Sequence, residues 1–441
     1  MATTYITNTS VTPTNAKKYT FSFWVKRNKI LIGAAAQRLI NVYTDSDNKL
    51  QVAFGTDDRL SIFDKESGAT RFSVTPSMVF RDNNAWYHVV IAADTTQATD
   101  TNRMKIYVNG ELQTALESGP TYAGQDTNTG AQLTGSGARR IGTNESATST
   151  VMFDGLLSHF HFVDGTQYAA SDFGSTDSTT GEWKINTAPS VTHGNNGYFI
   201  LKDGNSLTDQ SVNSNNWSVG AGTLGNTEDC PSNNFPVLNQ LNLQSTGYTF
   251  DGLGSLSVTG NGGDAWRTMY ATFGASSGKY YWEQKITNFT GVDPHYIGIV
   301  SDDQMSQTNI DQATTSRGYF YTKTGAKRNN NSQTSYGDSW TTNDIVGIAL
   351  DLDNSKLYFS KNGTWQDSGD PTSGSTGTGA AFTITSGYTY IPATSTYYNL
   401  NRYAMNFGNG YFGTTAVSSA GTNASNIGIF EYDVPTGYTA L

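Results

Sequence analysis

The amino-acid sequence predicts an all-β protein with two domains in tandem, and three observations carry that prediction. The chain has 441 residues; at roughly 100–200 residues per domain, with all-β sandwiches often above 200, two domains are expected. Aromatic side chains make up 12% of it and charged ones 15%, against about 25% charged in an ordinary soluble domain. That excludes a disordered chain, which is charge-rich and poor in aromatic mass. Third, apolar residues recur at period two in short runs separated by Gly, Asn, Asp, Ser and Thr, the chemistry of strands and turns. No ten-residue stretch carries the 3.6-residue period of an amphipathic helix.

The runs justify the elements in order. Tyr19 to Val25 puts large apolar residues on alternate positions, the period of a strand. Leu39 to Tyr43 and Leu50 to Phe54 are two strands joined by the turn Asp45-Ser46-Asp47-Asn48. Trp86 to Ala92 is an apolar run interrupted by His88 and suits a central strand. Met104, Ile106 and Val108 alternate with more polar neighbours and end at Asn109-Gly110, a tight-turn pair. Phe153 to Val163 closes the series, and Ala170 to Phe173 fits one short helical turn. A second series follows residue 240: Tyr280 to Ile286, Tyr296 to Val300, Gly318 to Thr322, Ile345 to Leu350, and a strand bearing Leu357 and Phe359 that ends at Asn362-Gly363. The two series echo each other, an apolar strand to Asp94 then MKIYVNG, an apolar strand to Asp351 then KLYFSKNG. The expected boundaries are residues 1–204, a polar linker 205–239 pinned by Phe235, Val237 and Leu238, and residues 240–441.

Net charge is −10 with pI near 4.9, and no Lys/Arg cluster exceeds two residues. Nucleic-acid binding, which draws its affinity from phosphate contacts, is therefore not expected, and neither is an anionic membrane surface. No run approaches the roughly 18 apolar residues of a membrane span. The surface is expected to be Ser, Thr, Asn and Gln, which suits direct hydrogen bonding to neutral partners such as sugars and tolerates salt. Cys230 is the one cysteine, so an intrachain disulfide and a cysteine zinc site are both excluded. The start, MATTYITNTS, has neither a basic nor an apolar leader region, so synthesis and folding in a cytosol without a signal peptide are expected.

Several patterns resemble catalytic motifs. Gly274-Ala275-Ser276-Ser277-Gly278 has nucleophile-elbow spacing, but a strand rather than a helix follows it. Gly408 to Gly413 has dinucleotide-loop spacing without the helix that would meet a phosphate. The eight Glu include no pair five apart, the spacing of one retaining-glycosidase motif, and nothing else in the chain supports catalysis. His159 and His161 alternate on one strand, either as a metal-binding pair or, the preferred reading, as a solvent-facing stripe. Trp24, Trp86, Trp282 and Trp340 sit in strand patterns and are expected in the core, whereas Tyr397, Tyr398 and Tyr403 read equally as a binding patch or as core. The stretch Lys323 to Ser339 is long and polar and reads as a loop; Lys327, Arg328, Asn329 and Tyr336 in it are the candidate ligand-binding residues.

The N-terminal half resembles concanavalin A-like lectin/laminin G domains found in phage fibre proteins. The resemblance rests on Lys17 to Arg27 (KKYTFSFWVKR), Trp86 to Val90 (WYHVV), Asn102 to Gly110, and Phe153 to Gly165 (FDGLLSHFHFVDG) followed by Ser171-Asp172-Phe173-Gly174. The C-terminal half resembles a SPRY domain in Gly278 to Glu283 (GKYYWE), Tyr296 to Val300 (YIGIV) and Asn343 to Asp353 (NDIVGIALDLD). The closing Phe430 to Tyr438 is similar to the end of such phage proteins. The resemblances imply two antiparallel jelly-roll β-sandwiches and a non-enzymatic virion protein, a fibre or surface appendage recognising a host-surface glycan or protein. A capsid or tail decoration with a purely structural role is the alternative, and a glycan-degrading enzyme the third. Partners would be other virion proteins and the host surface, with a homo-oligomer, possibly a trimer, supplying several weak sites at once. SPRY domains bind partners through variable loops, which singles out Lys327, Arg328, Asn329 and Tyr336. Some laminin G-like domains bind Ca²⁺, for which Asp45 and Asp47 with Asn48 are the candidates. They lack an EF-hand's Gly and distal Glu, so an ordinary Asx-type turn is preferred and no cofactor is expected.

Overall fold

Period-two alternation becomes strands wherever it occurs. The structure, a computed structural model, describes residues 4–30, 35–132, 138–242, 247–252, 257–260, 264–289, 295–305, 317–398 and 400–441. It divides into two compact units, Met1–Asn226 with Cys230–Ser232, and Thr227–Asp229 with Asn233–Leu441.

The first unit contains β1 (Tyr5–Thr9), β2 (Lys18–Arg27), β3 (Gln37–Asp45), β4 (Asn48–Phe54), β5 (Leu60–Glu66), β6 (Ala69–Val74), β7 (Trp86–Asp94), β8 (Met104–Val108), β9 (Glu111–Leu112), β10 (Ala138–Ile141), β11 (Gly155–Asp164), β12 (Gly174–Thr176), β13 (Trp183–Ile185), β14 (Tyr198–Ile200) and β15 (Ser218–Ala221). Among the described residues they form a seven-stranded sheet, β15-β1-β10-β3-β4-β5-β6, and a six-stranded sheet, β14-β11-β2-β7-β8-β9, with β12 and β13 a separate hairpin. β2 is the spine of the second sheet, pairing Phe21 with Ile91 and Phe23 with Val89 of β7. Its Tyr19, Phe21, Phe23 and Val25 face the sandwich interior with Phe160 and Phe162 of β11. The opposite face is buried too, because residues 165–197 lie over it: Ala170, Phe173, Tyr168 and Trp183 pack on Val90, Ala92 and Val163. That second covering layer explains why Trp86 to Ala92 is buried on both faces, with His88 among its apolar residues.

The second unit contains β16 (Tyr248–Asp251), β17 (Ser257–Gly260), β18 (Arg267–Tyr270), β19 (Lys279–Asn288), β20 (His295–Ser301), β21 (Gly318–Thr322), β22 (Ala326–Asn329), β23 (Ser332–Ser335), β24 (Ile345–Asp351), β25 (Lys356–Lys361), β26 (Thr364–Trp365), β27 (Phe382–Thr383), β28 (Tyr390–Thr396), β29 (Arg402–Asn406), β30 (Tyr411–Phe412), β31 (Thr415–Ala416) and β32 (Thr439–Ala440). The described residues give one sheet ordered β16-β17-β29-β19-β24-β25-β26, with β27 on β25 and β32 parallel to β19, and another ordered β18-β28-β20-β21-β22-β23. Trp282, Trp340, Ile297, Ile348 and Phe359 pack in the core. The C-terminal segment closes over β19, where the fully buried Glu283 carboxylate accepts the N–H groups of Glu431 and Tyr432.

The stretch 205–239, read from its polarity as a linker, is mostly built into the units. Trp217 is buried in the first core and β15 pairs with β1, while Phe235, Val237 and Leu238 belong to the second core. Polar residues there satisfy one another in turns: Asp209 accepts from the backbone of Phe199, Ser211 and Asn215.

Candidate binding site

The structure moves the residues expected to bind ligand. Lys323 to Ser339 is not a loop but carries the β22–β23 hairpin, which turns through Asn330 and Asn331, both at positive φ. Such a two-residue turn matches the twist of the strands it joins. The Arg328 guanidinium donates within the hairpin, to Gln333 Oε1 at 3.1 Å and Asn331 Oδ1 at 2.8 Å. Asn329 donates to the Gly318 carbonyl at 2.8 Å. Lys327 lies over the rings of Tyr336 and Phe382. Tyr336 is buried, 8% exposed, edge-on to Tyr321 and Phe359. Its hydroxyl donates to the Gly379 carbonyl, so it is a core residue and not a contact residue. The exposed part includes the turn asparagines and Ser332–Ser335, a polar edge strand. Of the three tyrosines read as patch or core, Tyr403 is core, whereas Tyr397 and Tyr398 are half-buried beside Trp266.

Asp45 and Asp47 have other partners. Asp45 Oδ1 accepts the Asp47 N–H at 2.8 Å and the Asn48 amide at 3.0 Å, an Asx turn. Asp47 holds the Lys65 ammonium at 2.6 Å, which keeps its carboxyl below the usual range. Among the described residues no group of three His, Cys, Asp or Glu is placed to hold a metal ion.

His159 and His161 do not form a solvent-facing stripe. A bulge between Ser158 and His161, with His159 at φ 48°, breaks the alternation. His161 is buried under residues 165–197, stacked on Phe199 at 3.8 Å. Beside it, His88 is 1% exposed and stacked between Trp24 and Trp183. Ser22 Oγ lies 2.9 Å from His88 Nε2, the spacing of a catalytic pair. The Trp183 indole N–H donates to His88 Nδ1 at 3.0 Å, and an indole nitrogen only donates. Nε2 therefore carries the ring proton and donates to Ser22, so His88 is no base for that hydroxyl. Burial pushes the His88 imidazole down to about 3.

The sequence reading missed a cleft in the first unit, at the open side between the two sheets. Met104 and Ile106 of β8 and Val74 of β6 form its floor. The chain from Leu112 to Tyr122 crosses from one sheet to the other, bridging at Leu116 to Pro76 and at Thr121 to Ser73, and walls it. Asn102, Lys105 and Gln113 also line it. The cleft has a volume of about 270 Å³ and contains no Asp, Glu, His or Cys. It offers no carboxylate, imidazole or thiolate, but apolar side chains beside amide, hydroxyl and ammonium groups. Burial and nearby Asp100 raise the Tyr122 phenol above its usual pKa, so its hydroxyl stays a donor as well as an acceptor at neutral pH. The legible signal was Leu112 and Leu116, apolar residues in an otherwise polar stretch, ELQTALESG.

Comparison with known proteins agrees with this architecture. Residues 1–171 match the concanavalin A-like lectin/glucanases superfamily, and residues 279–410 match the SPRY domain. The chain thus joins an N-terminal lectin-like sandwich to a C-terminal SPRY sandwich. Among curated proteins it is similar to the ATP-dependent RNA helicase DDX1 of Xenopus laevis, 35% identical over 100 residues, 22% of this chain and 12% of that protein. The Drosophila melanogaster Ddx1 helicase is 33% identical over 99 residues, 22% of this chain and 13% of that protein. The chain thus spans only these small fractions of the helicases. Among solved structures, the SPRY domain of human HERC1 is 21% identical, covering 34% of this chain and 87% of that one with a TM-score of 0.28. The SAP-like pentraxin of Limulus polyphemus is 14% identical, covering 50% of this chain and 89% of that one with a TM-score of 0.30.

Proposed function

We propose that this protein is a non-enzymatic recognition protein of a phage virion, and that the cleft of its lectin-like sandwich takes a neutral sugar of a host-surface glycan. The observation that carries the binding reading is the cleft: an apolar floor of Met104, Ile106 and Val74 beneath the Asn102, Gln113 and Tyr122 polar groups. Ligand pockets combine an apolar lining with a few placed hydrogen-bonding groups, and a pyranose presents a C–H face and a hydroxyl rim to match. The phage setting rests on the sequence resemblance of Phe153 to Gly165 and of Phe430 to Tyr438. At about 270 Å³ the cleft is at the small end of ligand pockets, roughly 300–1,000 Å³, which suits one sugar ring bound weakly. Several copies in an oligomer would then multiply affinity by about 10²–10⁴. The test is titration of the purified chain with host envelope polysaccharide. Binding that Asn102→Ala and Tyr122→Ala each weaken about tenfold supports the reading. An oligomer that binds no glycan and contacts only other virion proteins would be a decoration protein instead.

A further inference from the structure

We propose that residues 165–197 form a strap that acid releases from the outer face of the six-stranded sheet, because its two latches, Trp183 to His88 and His193 to His161, need neutral imidazoles. The first latch follows from the direction of its hydrogen bonds. Trp183 Nε1–H donates to His88 Nδ1 at 3.0 Å, and His88 Nε2 faces Ser22 Oγ at 2.9 Å. A second ring proton on His88 would point at the indole N–H, donor against donor, and break the bond. The second latch sets His161 Nδ1 against His193 Nε2 at 3.3 Å. One proton lies between those nitrogens; a cation on each ring would again oppose donor to donor, with like charges added.

The surroundings give these protons little compensation, Asp209 beside His193 being, among the described residues, the one carboxylate that favours them. His88 is held neutral by burial. His161 is driven down by burial and by the charges of His193, His159, His88 and Lys202. His193 is lowered by burial, with Asp209 opposing. The other carboxylates nearby are occupied. Asp164 accepts from the backbone of Thr14, Asn15 and Asn196. Asp172 accepts from Ala169, and Asp177 pairs with Lys184 inside the strap. Lys202, over the Phe199 ring, adds positive charge that acts on His159 and His161. The rest of the strap is held by a small apolar cluster around Phe173, by Thr20 Oγ1 with Thr166 and Tyr168, and by the Gln167 amide on the Ala92 and Asn102 carbonyls. Its end is tied by Asn195 to Thr14 and by Asn196 to Asp164 and Arg139. Its apolar cluster is far smaller than the sandwich core.

Each histidine that regains its ordinary pKa of about 6.5 in the open strap raises the open population about 10²-fold between pH 7.5 and 4.5. His88 and one ring of the second pair together give about 10⁴. Hydrogen exchange of the full chain, corrected for intrinsic rates, reads this directly. Strap amides should lose protection by about 10³–10⁴ over that range, and at every pH they should exchange faster than the β7 amides, which open only when the whole first unit unfolds. In His88→Gln, whose amide oxygen accepts from Trp183 without titrating, the loss should shrink about 10²-fold. Strap protection that is unchanged with pH, that equals β7 protection at each pH, or that responds equally in His88→Gln overturns the proposal. Should His88→Gln not fold, the wild-type series decides alone.

Discussion

Replacing Glu283 by Gln tests how the second unit is closed. The residue is fully buried on β19. Its carboxylate accepts the Glu431 and Tyr432 N–H groups at 2.9 Å each, the Tyr281 hydroxyl at 3.1 Å and the Asn406 amide at 3.3 Å. Above about pH 7, where the carboxylate is ionised, Gln keeps one acceptor oxygen and turns an NH₂ toward donors, leaving a buried donor unpaired at a cost of about 1–3 kcal/mol; at lower pH the protonated carboxyl already carries a donor and the cost is smaller. Glu283→Ala strips every acceptor from the cluster, and about 3–5 kcal/mol is the usual loss for breaking such a buried network. The pH dependence adds a sign. Burial outweighs the donors and raises the Glu283 carboxyl to about 7. The native state then holds this proton where the unfolded chain has released it. The group's contribution is full below about pH 4.5 and falls as pH rises to 7, by about 3 kcal/mol as an order of magnitude. His295 runs the other way: burial pushes it down to about 3, so its contribution is full above about pH 6.5 and is lost as pH falls. In the wild type the two slopes oppose; in Glu283→Gln the His295 slope is left, and the second unit gains stability from pH 4.5 to 6.5. Urea unfolding at about pH 4.5, 5.5, 6.5 and 8, spanning the Glu283 titration, with hydrogen exchange of residues 430–441 to report on the closing segment, measures both effects. A variant within 0.5 kcal/mol of wild type and with an unchanged pH slope would refute the reasoning.

Tyr336→Ala should cost about 3–5 kcal/mol in denaturant unfolding, as a large buried ring does, and Trp282→Ala a similar amount; a loss under about 1 kcal/mol for Tyr336 would return it to the surface. A fragment starting at residue 233 should fold to a more stable second unit than one starting at 239, because Phe235, Val237 and Leu238 lie in its core; equal circular-dichroism midpoints would contradict this. Millimolar Ca²⁺ should leave the melting midpoint of the first unit unchanged, since Lys65 already holds Asp47; a rise of several degrees that Asp47→Asn abolishes would show a site there.

Long alternating runs were legible because the side-chain period of a strand survives any tertiary context. Tyr19 to Val25, Met104 to Val108 and Gly318 to Thr322 all became strands where the pattern put them. The β22–β23 hairpin was misread because its outward side chains are all polar, SQTS and NN, and polarity was taken as a loop. The pair of positive-φ asparagines was the turn signal that composition concealed. The histidine layer was hidden for another reason. Both faces of β7 are buried, and the sequence shows that without showing that residues 165–197, more than seventy positions later, supply the second cover. The cleft joins Val74, Met104 and Tyr122 through a chain crossing between sheets, a convergence that no local pattern encodes. Sheet pairing brings such residues together, and pairing partners are not written in either strand alone.

The proposed recognition function meets its most direct test in one measurement: binding of the full chain to host envelope polysaccharide at low and at seawater-like ionic strength, alongside Tyr122→Ala. Recognition by the cleft rests on hydrogen bonds and apolar contact, with Lys105 the one charged lining group. Affinity should therefore change less than about threefold with salt, as expected where few charges pair, and Tyr122→Ala should weaken it about tenfold with the fold intact. Absence of binding by a confirmed oligomer, or binding that collapses with salt as a polyanion contact does, would contradict the account.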